Sequence, residues 1–197
     1  MRFTGWLLIS GLMLLLAGCG GLTARISSTG LLPAQATGET IAVVAAHDVL
    51  DRSLFFRRTR GMIETELRAK GFTVVQPGDA PLYLALASYE AGEGRTETFT
   101  TERLFPRYVF RKDIGNVFVG YDRIVEVRQV ETFGRQVRLV IERMDNPDGP
   151  QRVYEGTAES RGRCPNINEV AGVMYQALFR KFPEGSGQVT VESEVTC

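Results

Sequence analysis

The chain has 197 residues, 23 Lys plus Arg set against 23 Asp plus Glu, and 44% hydrophobic content. Balanced charge on an ordinary globular composition excludes the disordered and collagen-like classes and argues against nucleic acid as a partner. One histidine and three cysteines are a poor basis for a zinc site or a Cys/His catalytic pair, so neither a cofactor nor a metal is expected.

Arg2 precedes an uncharged run from Trp6 to Leu16. Those 11 residues would rise only about 16 Å as a helix, against roughly 30 Å of bilayer hydrocarbon. A short basic start, a short apolar run and a small-residue exit predict a secretory signal peptide over residues 1–18. Leu16-Ala17-Gly18-Cys19 resembles the lipobox of bacterial lipoproteins. The resemblance implies cleavage between Gly18 and Cys19, a diacylglycerol thioether on Cys19 and acylation of the new amine. Two or three acyl chains anchor a soluble domain stably, whereas one gives only marginal binding. Gly20, in a place where Asp would retain Gram-negative lipoproteins in the inner membrane, implies by similarity the periplasmic face of the outer membrane. Cleavage leaves 197 − 18 = 179 residues, enough for one domain with a sizeable core.

Residues 19–39 are small and polar, and read as the lipidated cysteine and a flexible tether. Packing of Ala24–Ser27 or Leu31-Leu32 as an extra edge strand is the alternative. The periplasmic domain is expected over 40–197. Thr40–Ala46 is a continuous apolar run, typical of a strand covered on both faces. Ser53 or Asp51 can cap a helix carrying Phe55, Phe56, Met62, Ile63 and Leu67 at helical spacing, with Gly71 just past its end. Phe72–Val75 completes a β-α-β unit. After a turn at Gln76–Ala80 comes a strand from Pro81 to Glu90.

Residues 91–120 are irregular and predict a hairpin or long loop. Within them Arg103, Phe105, Arg107, Tyr108, Phe110, Arg111 and Lys112 interleave aromatic and basic side chains, tempered by Glu97 and Glu102. This is a candidate patch for an anionic partner: a lipid headgroup, a glycan polymer or a protein. The alternative is that the aromatics pack inward and the arginines are merely solvated. Arg123–Glu131 and Arg135–Met144 read as two antiparallel strands joined near Thr132-Phe133-Gly134. Arg152–Ser160 makes a third. Asn166 and Glu169 can cap a second helix with Val170, Val173, Met174, Ala177, Leu178 and Phe182 inward and Pro183 as its stop. Gln188–Thr196 alternates as a final strand.

In an oxidising compartment Cys164 and Cys197 can pair, because the helix carries the chain away and the last strand brings it back. Two free thiols, or an intermolecular bridge, are the alternatives. Chemistry is otherwise sparse. Glu90–Arg95 holds a G-x-G without its third glycine, and there is no GxxxxGK[ST] or G-x-S-x-G. His47 with Asp48 and Asp51 could act as a general base, but no nucleophile accompanies it, and a surface or capping role fits better.

Four short runs, in order, resemble a family of small bacterial lipoproteins that carry a periplasmic domain of unknown function. They are Glu66-Leu67-Arg68-Ala69-Lys70-Gly71-Phe72, Ala80-Pro81-Leu82-Tyr83, Val153-Tyr154-Glu155-Gly156-Thr157-Ala158 and Ala177-Leu178-Phe179-Arg180-Lys181-Phe182-Pro183. Pro81 stands where the family usually has Asp. The resemblance implies an α+β domain and supplies no catalytic residue. The expected architecture is therefore α+β: a single mixed, mostly antiparallel sheet with two helices packed on one face. The expected role is a non-enzymatic binding or accessory module, held to the bilayer through Cys19, with an envelope protein, glycan or lipid as partner. A lipid-handling accessory subunit of an envelope transport system is the alternative; it requires an apolar groove between helices and sheet. A hydrolase built on His47 is a third reading.

Overall fold

The computed structural model describes residues 21–33 and 35–192. The signal peptide over 1–18, the cleavage site at Gly18, the lipidation site Cys19 and Cys197 lie outside the described residues. In chain order the elements are β1 (Leu22–Gly30), β2 (Thr40–Ala45), α1 (Asp48–Asp51), α2 (Leu54–Ala69), β3 (Thr73–Val74), β4 (Tyr83–Arg111), β5 (Gly115–Arg143), β6 (Gln151–Gly162), α3 (Ile167–Phe179) and β7 (Gly185–Val191). The strands form one seven-stranded mixed sheet in the order β3-β2-β4-β5-β6-β1-β7. β2 runs parallel to both β3 and β4, and the remaining neighbours are antiparallel. With its two long helices the domain is α+β.

Local signals in the sequence account for both helices. The Ser53 hydroxyl accepts from the backbone N–H of Phe55 at 3.2 Å, satisfying one of the free donors at the start of α2. Phe56, Thr59, Ile63 and Leu67 then fall on one buried stripe. In α3 the Asn166 side chain accepts from the N–H of Asn168 at 3.1 Å. Glu169 meets the Asn166 amide group at 3.4 Å, a side-chain version of the expected capping box. Val170, Met174, Tyr175, Ala177 and Leu178 are buried along α3. Phe182 is buried too, but beyond the helix end, against Tyr154 and Phe179. Gly172 lets α3 approach α2, since a Cβ there would run into the Met62 thioether.

Two expectations are corrected. The tether expected over 19–39 is a strand from Leu22 to Gly30, paired with β6 on one side and β7 on the other. Ala24 and Ile26 are buried while Thr23, Arg25 and Ser27 are exposed. This period-2 pattern is carried by side chains so small that composition alone reads as linker. It is not an edge strand either, because β7 lies outside it. Leu32 and Ala36 are buried as the chain continues, so the folded domain begins by Leu22 rather than at residue 40. The second correction concerns residues 123–144. Thr132-Phe133-Gly134 is not a turn, and Gly115–Arg143 is one unbroken strand. The extended backbone at Gly134 accommodates glycine as readily as any residue.

Cys164, at the entrance to α3, is 3% exposed and disulfide-bonded.

Tyr175 ties α3 to the sheet. Its buried hydroxyl donates to the Ser88 carbonyl at 2.7 Å and sits 3.1 Å from the Arg138 carbonyl. Burial pushes this phenol well above its ordinary range. Tyr154 is as deeply buried, but its hydroxyl has no hydrogen-bond partner among the described residues. The same substitution should therefore have unequal effects. Tyr175→Phe is expected to cost about 1 to 2 kcal/mol, the worth of a hydrogen bond plus a stranded carbonyl. Tyr154→Phe should stay within about 0.5 kcal/mol of the parent. Urea unfolding of the two variants checks the contrast.

Candidate functional site

Up to Ala91 on β4 and from Arg135 onward on β5, the two strands are part of the sheet body. β2 flanks β4 only from Tyr83 to Ala87, and β6 flanks β5 only as far as Phe133. A register shift lies between Ala91 and Gly94. Beyond it β4 and β5 pair only with each other, from Gly94 opposite Phe133 to Arg111 opposite Gly115. The result is a two-stranded arm. It closes at Lys112-Asp113-Ile114, where Gly115 supplies a φ of +78°. Eighteen residues of β4, Gly94 to Arg111, span about 59 Å at roughly 3.3 Å each.

The sequence builds this arm from strand-forming types: Thr, Val, Phe, Tyr and Ile. Directly opposite residues share a face, so the register sorts the side chains. One face carries Leu104, Pro106, Tyr108 and Phe110 on β4, and Phe118, Tyr121, Val125 and Val127 on β5. Tyr108 meets Phe118 edge-on at 5.9 Å, and Phe118 meets Tyr121 at 5.1 Å. Glu102 and Arg123 are the charges in this part of the face, and they are paired with each other. The other face carries Arg103 and Arg107, diagonal to Asp122 or Glu126, with Arg111 near the tip, Arg128 opposite Phe99, and Phe105, Val109, Val117 and Ile124 between the charges. Arg107 reaches Asp122 at 3.7 Å.

The seven patch residues singled out in the sequence therefore lie together on the arm but do not form one surface. Arg103, Phe105, Arg107 and Arg111 share the charged face. Tyr108 and Phe110 belong to the apolar face, and Lys112 sits in the tip turn. The inward-packing alternative is overturned: Tyr108 is 58% exposed, Phe110 71% and Tyr121 64%. The β5 half, Phe118, Tyr121, Ile124 and Val125, went unrecognised as part of the site. Its signal is the richness of Val117 to Val127 in β-branched and aromatic residues, hidden by dividing the segment between a loop and a separate strand.

At the root of the arm Arg135 is 6% exposed on the core face of β5. Its Nη2 lies 3.5 Å from the Ser160 hydroxyl, and its Nε has no partner among the described residues. Burial pushes its guanidinium below the usual arginine range. An open depression of 780 Å³ surrounds it, bordered by Arg25, Glu90, Glu159 and Arg161. Residues on the arm's charged face near the root are braced by Thr132, which donates to Glu97 at 3.1 Å, and by Arg161, 3.3 Å from the same carboxylate.

The body is closed. Phe56, Ile63, Leu67, Tyr175 and Phe179 fill the space between helices and sheet, each no more than 1% exposed. A hollow of 580 Å³ between α2 and α3 is bordered by Phe55, Met62 and Val173 together with Arg58, Asn166, Glu169 and Gln176. His47 is exposed at the start of α1, where its side chain makes no capping bond. It borders a 220 Å³ hollow with Ser88, Tyr89, Glu90, Gln136 and Arg138, and Asp51 does not line it. Among the described residues no group of three or more His, Cys, Asp or Glu is placed to hold a metal. No helix among them is long and apolar enough to cross a membrane.

Fold and site together define an α+β domain that carries a projecting two-stranded arm. No protein-family model matches the chain, and no curated protein matches it. Among solved structures, a PDZ domain protein from Parabacteroides distasonis is 14% identical with a TM-score of 0.41, covering 86% of this chain and 38% of that one. A PelC dodecamer from Paraburkholderia phytofirmans is 16% identical with a TM-score of 0.39, covering 79% of this chain and 93% of that one. Likeness at this level says nothing about function.

Proposed function

We propose that the chain is an envelope lipoprotein, anchored through acylated Cys19 at the periplasmic face of the outer membrane, and that the arm is its contact surface. The body acts as a non-enzymatic mount with both long helices on one face of the sheet. It belongs with the small periplasmic lipoproteins that its four short motifs resemble. One observation carries the reading. The large exposed apolar side chains gather on residues 99–127, while the core of the body is filled. An isolated two-stranded ribbon is marginal in water, and apolar surface of this extent marks an interaction site. The same filled core disfavours the lipid-handling alternative, which needs an apolar groove between helices and sheet.

In-cell crosslinking tests the proposal. A photo-reactive residue at Arg103 or Arg107 is expected to give a covalent adduct, and the same residue at Asp148, in the turn at the far end of the sheet, is not. Adducts from Asp148 alone, or from no position, would reject the arm as the contact surface.

A further inference from the structure

We infer that the distal half of the arm crosses a lipid bilayer as two strands of a β-barrel closed by several copies of this chain. The inference rests on the arm being the contact surface and names what the arm contacts: lipid on one face and neighbouring copies along its edges.

The first ground is length and pattern. A transmembrane strand needs about 9 to 11 residues tilted by about 45°, with one face apolar and the other polar. From Glu102 to Arg111 on β4 and from Asn116 to Val125 on β5 the arm offers ten residues per strand. One face there presents Leu104, Pro106, Tyr108, Phe110, Phe118, Tyr121 and Val125 with Asn116 at its tip end, and the other alternates the charges Arg103, Arg107, Arg111 and Asp122 with Phe105, Val109, Val117 and Ile124. The ion pair of Glu102 with Arg123 stands at the root-side border of the apolar zone, where charge is cheapest to hold. Nearer the root, Thr96, Thr98, Thr100, Gln129 and Glu131 make the same face polar, as suits a stem in water.

The second ground is the backbone. From Gly94 to Arg111 and from Gly115 to Thr132 the outward edges of both strands have no strand partner among the described residues. In hydrocarbon every backbone N–H and C=O must be paired, so strands cross membranes only in closed barrels. One hairpin has two free edges and cannot close on itself. Identical hairpins placed side by side can, each edge of one copy pairing with the opposite edge of the next.

The third ground is the position of the anchor. Ala24 pairs with Ser160, Ser160 with Arg135, and Arg135 with Ala91, which makes one row across the sheet. β1 runs parallel to β5, so from this row the chain before Ala24 leaves toward the same end as the arm. Cys19 lies five residues further back, a reach of about 17 Å at most. From the same row, Arg135 to Val125 climbs about 23 Å when tilted like a barrel strand. The chain leading back to Cys19 and the apolar zone of the arm therefore leave the body toward the same end.

The test uses purified, acylated full-length protein added to dye-loaded vesicles of phosphatidylethanolamine and phosphatidylglycerol, alongside identification of the in-cell adducts. The expected results are dye release, adducts that are multimers of this chain, and release lowered at least tenfold by Tyr121→Arg or Tyr108→Arg, both near the middle of the apolar zone. Asp148→Arg, a charge change on the body, should leave release unchanged. Adducts with a different protein and no dye release would overturn the barrel while leaving the arm as a contact surface. Absence of any adduct would remove both.

Discussion

Gly71→Ala should lower the stability of the domain by about 2 to 4 kcal/mol. Gly71 closes α2 in a Schellman arrangement. Its N–H donates to the Arg68 carbonyl at 2.9 Å, and the N–H of Phe72 donates to the Leu67 carbonyl at 3.2 Å. The turn holds Gly71 at a φ of +91°, which costs an L-residue about 1 kcal/mol. A second cost is added by packing. The chain leading into β2 crosses this turn, with the Ala36 N–H on the Lys70 carbonyl at 2.7 Å and the Gly38 N–H on the Gly71 carbonyl at 3.1 Å. A Cβ on Gly71 would run into the Ala36 carbonyl oxygen. That oxygen belongs to backbone, so the crossing segment must move and both hydrogen bonds suffer. Calorimetry should show the melting temperature falling by roughly 4 to 16 °C. A loss below about 1 kcal/mol would mean that the crossing gives way freely.

This site illustrates what could be read from residues alone. The positive φ at Gly71 was legible, because helix ends have local chemistry: a periodic apolar stripe, a capping hydroxyl at Ser53 and a glycine after Lys70. The crossing by Ala36 was not, since nothing in that small, polar stretch says what lies beneath it. β1 was hidden for the same reason. Its buried positions are Ala24 and Ile26, and long-range pairing with β6 and β7 holds it as a strand. In the arm, residues 91–120 read as irregular and Gly134 as part of a turn, and the glycines Gly92, Gly94 and Gly134 are the reason. They lie instead where two continuous strands leave the body. The aromatic and basic composition marked the right segment, but dividing it into two faces required the register, and register depends on where the hairpin turns.

The second prediction concerns topology. A body mounted in the periplasm and an arm that crosses the outer membrane would put Lys112, in the tip turn, outside the cell. Asp148, in the β5–β6 turn at the opposite end of the sheet, would stay inside. The distance favours this: beyond the polar stem, ten residues per strand suffice for the roughly 25 Å apolar band of a barrel, and only Lys112-Asp113-Ile114 remain beyond it. Both residues are exposed, so single cysteines there should be tolerated with little effect on folding.

Labelling of Lys112→Cys and Asp148→Cys in intact cells with a membrane-impermeant maleimide measures this directly. The expected result is that Lys112→Cys reacts in intact cells, whereas Asp148→Cys reacts only after the outer membrane is permeabilised. Labelling of neither position before permeabilisation, or of both equally, would contradict an arm that crosses the membrane from a periplasmic body.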